Sequence, residues 1–581
     1  MIRVVSTQAL PGLKDRCRSA WLYIGSYKGL TSASGYLPDE KRIFIGRMIE
    51  EVTAAVRDRF VDYIGAMAEL QQDKVLWYSS RMASKSNSQT LIFDHYVYFK
   101  LLEALASREK DDILVVTDDH DFLKVMGKVG GKNMDVAPAR TFCMSRVRRC
   151  LQGYIQLVRY GFFWLLGRLL TPAPSGACDV VIHSWIDQRT FNDLAGFHDP
   201  YFGGLEAWFK KQDLVVRRMA PLMIPLRHMG ALRRRFRSII YPLRSVSFRD
   251  LWRVLGRRFT ITILEDGRED GVVLRELVIN EAWRENCENV YMGNLLLFHG
   301  YRGLFERLKD TAAVIYPFEN QPWEKMLMLA LPEKIRKIGY AHAAIPYNWL
   351  DYRTSALERS APCPDVILTA GQRWADFLRP FYPNIPVEVA GAIRYTHLIG
   401  SKGIRPAIRH PQSVVVALPL DPLIAFSLQV RLLALAREGK LDGFCVKIKA
   451  HPYLPADAVL TPLFLKYKNC VFVHDNIPLL LADCSLLVTA ASTVVFESLA
   501  MGVKTLVYVP ESVSWEVEYF IKDHIFLAYE DDFSERFIDA VNDTGVVDWD
   551  VAAYFSHPDF KAFWDHGAKG VERGGRLTYG C

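Results

Sequence analysis

The sequence predicts an α/β protein with two Rossmann-like domains facing a cleft, preceded by an N-terminal domain that is α/β or mostly helical. Three observations carry this prediction. From Asp179 onward, short apolar runs alternate with helical segments, the texture of βαβ units and a parallel sheet. The same texture resumes after a Gly/Pro-containing break at residues 403–411. Residues 171–177, TPAPSGA, form a linker that sets both blocks apart from what precedes them.

The elements follow in order. In the N-terminal accessory domain, 1–172, residues 39–70 carry apolar positions three and four apart, as an amphipathic helix does. After 75–78 a polar loop, SSRMASKSNSQ, leads to a second helix over 92–106. Residues 112–117, DILVVT, read as a short buried strand ending in Asp118, Asp119, His120 and Asp121, an acidic corner read as a loop rather than a hard-cation site. The first Rossmann-like domain, 178–402, holds DVVIHSW from Asp179, DLVVRRMA from Asp213, AAVIYPF ending at Phe318, KIGYAHA from Lys337, DVILTAG from Asp365 and PVEVAGA from Pro386. The second, 410–545, holds SVVVALP from Ser413, FCVKIKAHP from Phe444, CVFVHD from Cys470, SLLVTAA from Ser485 and KTLVYVP from Lys504. Residues 546–581 read as a C-terminal tail.

Composition narrows the function. Half the residues are apolar and 12% aromatic, which excludes wholesale disorder. A net charge of +7 over 581 residues suits an anionic ligand or surface, not nucleic acid as a partner. The ten cysteines form no CxxC pair, so zinc and disulfide frameworks are not expected, and a reducing compartment is. The start, MIRVVSTQALPGLKDRCRSA, lacks the apolar region of a signal peptide, so a cytoplasmic location is expected. With no GxGxxG after the first strand of either block and no GxxxxGK[ST], dinucleotide and P-loop binding are disfavoured.

Two stretches bear on membranes. Residues 150–170 are the most apolar, but Gln152, Gln156, Arg159 and Arg168 interrupt them and make a poor spanning segment. They read either as an interfacial helix, with Phe162, Phe163, Trp164 and Leu165 toward lipid and Arg146, Arg148, Arg149 and Arg159 at headgroups, or as a buried helix between domains. Residues 227–258 carry Arg233, Arg234, Arg235, Arg237, Arg244, Arg249, Arg253, Arg257 and Arg258 with Asp250 the only acid, a cationic face for anionic inner-membrane lipid or a charged acceptor.

The residues with chemistry sit where strands end. Lys447 and Lys449 precede His451 and Pro452, a basic corner suited to phosphate, with the proline ending strand pairing. About 40 residues on, AASTVVFESLAMG brings a strand to small residues and hydroxyls and then opens a helix. Ser492 and Thr493 would receive a phosphate or carboxylate there, or simply cap the helix, and Glu497, a turn in, would accept from a ribose hydroxyl. On the acceptor side, Glu319, Asn320 and Gln321 cluster after a strand, Glu324 sits in the next helix's first turn, and His342 ends another strand. Glu265 and Asp266 follow the run ITIL.

Two facing sheets of this kind resemble the GT-B glycosyltransferases. KAHP and AxSTxxFExLxxG resemble the HP and Ser/Thr motifs of GT-B enzymes that use CMP-activated acidic sugars, the bacterial sialyltransferases and Kdo transferases. That resemblance implies that Lys449, His451, Pro452, Ser492, Thr493 and Glu497 hold the donor nucleotide. Glu265-Asp266-Gly267 resembles the sialyltransferase acidic motif that supplies the base, and Glu319 is the other candidate for that role, with His342 a contact to donor or acceptor. SWIDQRTF from Ser184, DPYFGGL from Asp199, YPFENQPWEKML from Tyr316 and IGYAHAAIPYNWLDY from Ile338 resemble a family of surface carbohydrate biosynthesis proteins. Together these imply a metal-independent glycosyltransferase of O-antigen, capsule or lipopolysaccharide assembly. It would use no cofactor beyond a CMP-linked donor and would act on a glycan or lipid-linked glycan. A UDP- or GDP-sugar transferase, a polyol-phosphate transferase and a non-catalytic assembly scaffold remain open.

Overall fold

The structure, a computed structural model, describes residues 1–13, 19–108, 111–130, 134–137, 142–171, 176–185, 199–221, 239–267, 269–308, 310–399, 412–513 and 516–567. Linker residues 172–175, the break at 403–411, Arg233, Arg234, Arg235, Arg237, most of SWIDQRTF and the last part of the tail lie outside the described residues.

The N-terminal domain is α/β. Its strands β1 (Ile2–Ser6), β2 (Ala20–Ile24), β3 (Ile113–Thr117) and β4 (Met134–Val136) form a parallel sheet in the order β2-β3-β1-β4. Helices Gly46–Leu70 and Ile92–Arg108 pack on each other, Phe60 meeting Phe93 at 5.0 Å between ring centres.

The second sheet comprises β5 (Val180–His183), β6 (Val216–Met219), β7 (Ile239–Ile240), β8 (Ala313–Pro317), β9 (Arg336–Ala341), β10 (Val366–Thr369) and β11 (Val387–Val389). The third comprises β12 (Ser413–Ala417), β13 (Cys445–Lys449), β14 (Cys470–Phe472), β15 (Leu486–Thr489), β16 (Lys504–Tyr508) and β17 (Phe526–Ala528). Their orders are β11-β10-β9-β8-β5-β6-β7 and β14-β13-β12-β15-β16-β17, with every pairing parallel. Counted from the first strand of each, both follow the doubly wound order 3-2-1-4-5-6, the second sheet adding a seventh strand. Parallel strands covered on both faces must be apolar throughout, which is why AVIYP in β8 and SVVVA in β12 are buried at every position. The arrangement is GT-B-like. In each lobe the strand order reverses between first and fourth strands, at β5/β8 and at β12/β15, and such reversal points open a crevice at the carboxyl ends.

Two parts of the chain lie differently from the sequence reading. SSRMASKSNSQ is not a solvated loop, since Ser79, Ser80, Ser84, Lys85 and Ser86 are buried at the seam with the second lobe. Polar groups survive there because they are paired. Lys85 donates to Glu358 at 2.7 Å, and Arg81 reaches Glu285 at 3.1 Å and Glu288 at 2.8 Å. The segment read as a tail is, over residues 546–567, a strap returning to the second sheet. The amide of Ala392 donates to Ser556 O at 2.9 Å, that of Ser556 to Ala370 O at 3.0 Å and that of Asp559 to Ala390 O at 2.8 Å. Helix Phe560–Gly567 then sets Phe563 against Tyr340, with ring centres 5.2 Å apart.

Candidate functional site

On the second lobe the site begins where β8 ends. The carboxylate of Glu324, in the first turn of helix Pro322–Ala330, accepts the amides of Glu319, Asn320 and Gln321 at 3.0, 2.9 and 3.2 Å. This turn holds Asn320 at φ 58°, a left-handed conformation that a non-glycine residue adopts at a cost of about 1–3 kcal/mol. Asn320 Nδ2 donates to Asp351 O at 2.6 Å, Gln321 Nε2 to Asp351 Oδ2 at 2.8 Å, and Lys325 Nζ to Asn320 Oδ1 at 2.9 Å. Gln89 of the N-terminal domain donates to Gln321, so the polar segment SSRMASKSNSQ is part of this scaffold.

With its neighbours tied down, Glu319 is left half-buried, and its carboxylate makes no hydrogen bond among the described residues. Burial pushes it up to about 7, with Arg394 pulling the other way. The β8–β9 register ends with Pro317 beside Tyr340, so Glu319 and His342 both follow the carboxyl ends of neighbouring strands. His342 is buried and meets Tyr201 edge-on at 4.9 Å. At the end of β5, His183 stacks on Trp323 at 4.5 Å and bonds the Tyr301 hydroxyl at 2.9 Å. Burial holds it down at about 3, so it is a neutral, packed side chain beneath the strand end.

On the third lobe, Ala417 of β12 pairs with Lys449 on one side and Thr489 on the other. The basic corner and the hydroxyl turn therefore flank the end of β12, two strand spacings or about 10 Å apart. Lys447 is spent on Asp483 at 2.8 Å, while Lys449 Nζ donates to His474 O at 3.3 Å. The amide of Tyr453 donates to His451 Nδ1 at 3.2 Å, and burial lowers the ring's proton affinity. The neutral tautomer consequently carries its proton on Nε2, a donor. Pro452 is exposed just beyond the strand. After β15, Ala491 takes φ 42°, so both lobes put a non-glycine left-handed residue in the turn after their fourth strand. Thr493 makes no capping bond through its side chain, and Ser492 Oγ accepts the Val494 amide only at 3.4 Å. The Thr493 hydroxyl thus does not cap the helix, and Ser492 makes only this long turn bond.

Arg394 joins the halves. The chain leaves β11 through Gly391, at φ 82°, where a Cβ would come within 2.1 Å of His557 O. Three residues later the Arg394 guanidinium lies close enough to act on both Glu319 and Glu497, opposing the burial that raises each carboxyl. Glu319, after β8, and Glu497, in the helix after β15, thus both lie within the field of one cation, that of Arg394 after β11. Arg394 escaped the sequence reading, although it follows PVEVAGA by two residues and sits at a strand's carboxyl end like the residues singled out. Asp351, pushed up to about 8 by burial, was also missed. So was Asp94, at the start of helix Ile92–Arg108, raised to about 8 by burial with Asp421 of the third lobe adding to it.

Glu265 and Asp266 keep different company. Asp266 is ion-paired with Arg59 of helix Gly46–Leu70, and exposed Glu265 reaches Arg275 at 3.4 Å. In the acidic corner, Asp118 accepts from the Tyr23 hydroxyl at 2.7 Å, Asp119 caps helix His120–Val129 and bonds His95 at 2.9 Å, and Asp121 pairs with Arg149 at 2.6 Å.

No protein-family model matches the chain, and no curated protein matches its sequence. Among solved structures it is similar to MurG of Acinetobacter baumannii, at 12% identity and TM-score 0.38 over 68% of this chain and 99% of that one. It is also similar to UDP-GlcNAc 2-epimerase of Methanocaldococcus jannaschii in complex with UDP-GlcNAc and UDP, at 8% and 0.40 over 66% and 96%. The glycotransferase of kitacinnamycin matches at 11% and 0.37 over 63% and 91%. Likeness of this degree says nothing about substrate.

Proposed function

We propose that the protein is a metal-independent glycosyltransferase of bacterial surface polysaccharide assembly. It moves a sugar from a CMP-linked 3-deoxy acidic donor to a glycan acceptor at the cytoplasmic face of the membrane. The observation that carries this reading is the convergence of Glu319 and Glu497, from two doubly wound lobes, on Arg394. The choice of donor rests on the resemblance of KAHP and AxSTxxFExLxxG to the motifs of CMP-sugar enzymes.

In this reading the third lobe holds the nucleotide, with Glu497 accepting from the ribose and Lys449, His451 Nε2–H, Ser492 and Thr493 around the phosphate. The acceptor sits in the aromatic crevice of the second lobe, with Glu319 as base. As the acceptor oxygen bonds the anomeric carbon, its proton passes to Glu319. The carbon–oxygen bond to phosphate breaks, and the nucleoside monophosphate leaves with the electron pair. Donors already aimed at that phosphate stabilise its growing charge without reorganisation, the effect that usually dominates catalysis of this kind.

Calorimetric titration with CMP, UDP and GDP tests the reading. CMP should bind most tightly, and His451→Ala should lower turnover by roughly 100–1,000-fold, the usual cost of one such donor, with folding intact. Preference for UDP or GDP would replace the donor. Absence of any nucleotide binding would leave a scaffold.

A further inference from the structure

Helix Phe142–Leu170 runs 29 residues, about 43 Å, and carries its apolar side outward. Its inner face is fixed by close packing. Gly153 lies against Cys287 O, Gly167 against the Arg244 backbone, and Trp164 Nε1 donates to Val246 O at 3.0 Å. On the opposite face Val147, Leu151, Tyr154, Ile155, Val158, Phe162, Leu165 and Leu169 fall within about 100° of arc at 100° per residue, and all are exposed, Val158 at 74% and Leu169 at 70%. Helix Phe248–Leu255 continues the surface, with Phe248 6.2 Å from Trp164 and Trp252 61% exposed.

Charge frames this stripe with one sign. Residues 142–170 contain five arginines and no acid. Arg148 and Arg159 lie exposed along one flank, and Arg168, Arg249 and Arg253 along the other. The acid of the second helix, Asp250, is already engaged by Ser247, His299 and Arg253. Arg149 is turned inward to Asp121, and Phe163 and Trp164 pack against the protein, so the interfacial helix is rotated from the sequence expectation for those three residues.

We propose that this face seats the protein on an anionic bilayer, with helix Phe142–Leu170 lying flat in the interface, its apolar stripe below the headgroups and its arginine flanks among the lipid phosphates. Isolated apolar residues on a surface are ordinary, but a contiguous stripe of this length is not. Among the described residues no helix is long and apolar enough to cross a membrane, so the helix lies on the bilayer rather than through it. Two copies meeting face to face would oppose arginine to arginine, whereas anionic lipid complements both flanks.

Vesicle flotation tests this, and it depends on surface residues alone, so its failure leaves the nucleotide titration unaffected. The wild-type chain should float with phosphatidylcholine vesicles containing phosphatidylglycerol, and less so as salt rises. Val158→Glu should abolish flotation while circular dichroism and the melting temperature stay unchanged. Arg148→Gln and Arg159→Gln should each weaken partitioning about fivefold. The proposal is overturned by wild-type protein that stays behind, by equal capture on phosphatidylcholine alone, or by a Val158→Glu variant that floats normally. Sedimentation showing a dimer that Val158→Glu separates would give the face to a second copy instead.

Discussion

At Glu319, burial and Arg394 pull the carboxyl in opposite directions and leave it at about 7, where a base can both take and release a proton near neutrality. A base must be ionised to act, so kcat/KM should rise with pH to a plateau above about 7. Glu319→Gln should remove that limb and roughly 100–10,000-fold of the rate, as measured in a pH–rate profile. Arg394 stabilises the ionised form of Glu319, so Arg394→Ala should move the limb to higher pH, and Arg394→Lys should restore part of the shift. A limb unchanged in Arg394→Ala would separate the cation from the base. His451, neutral and protonated at Nε2, contributes a hydrogen bond rather than a charge, so its role should not titrate above its lowered pKa.

Among the elements, the seam between SSRMASKSNSQ and the second lobe bears most directly on stability. Lys85 and Glu358 are both buried, and removing one partner strands the other's charge. Lys85→Met should cost about 3–5 kcal/mol in urea unfolding, most of it regained in Lys85→Met/Glu358→Leu. Gly391→Ala should loosen the strap, since a side chain at φ 82° would meet His557 O, and limited proteolysis should then cut residues 546–567 sooner than in the wild type.

The strands of the two lobes were legible because parallel strands covered on both faces must be continuous apolar runs, as in SVVVALP and AAVIYPF. The edge strands β7 and β17 escaped because two or three residues carry no pattern. β1 and β2 are five residues each, and although IRVVS is strand-like by itself, both pair with β3, some 90 or more residues away, so no local alternation of strand and helix marks the sheet. The burial of SSRMASKSNSQ was not legible, because its partners Glu358, Glu285 and Gln321 lie some 200 or more residues away in sequence. Of the site, the strand-end residues Glu319, His342, Lys449, His451, Ser492 and Thr493 could be read from position. That Arg394 spans Glu319 and Glu497 could not, since it depends on how two lobes approach.

Across the whole molecule, one core joins the three α/β units and holds Phe60 of the first, Tyr316 of the second and Phe496 of the third. Around it, acids are kept protonated by burial, Asp94 and Asp351 up to about 8 and Glu518 up to about 7. An acid with a raised folded pKa stabilises the fold while both states are protonated and loses that contribution as pH climbs from its unfolded value through its folded one. His183, held neutral, acts the other way but only below its ordinary value of 6.5. Between pH 6.5 and 8 the acids therefore dominate, and unfolding free energy should fall by about 1.4 kcal/mol per pH unit for each carboxyl still protonated, as chemical denaturation across that range would show. The candidate donor crevice sits at the two strand-order reversals, β5/β8 and β12/β15. The most direct test of that crevice as a donor site is a structure of the protein with CMP. The phosphate should lie within hydrogen-bond reach of His451 Nε2 and the Ser492 and Thr493 hydroxyls, with Arg394 and Glu319 across the gap. CMP bound anywhere else on the chain, with those groups untouched, would contradict the account.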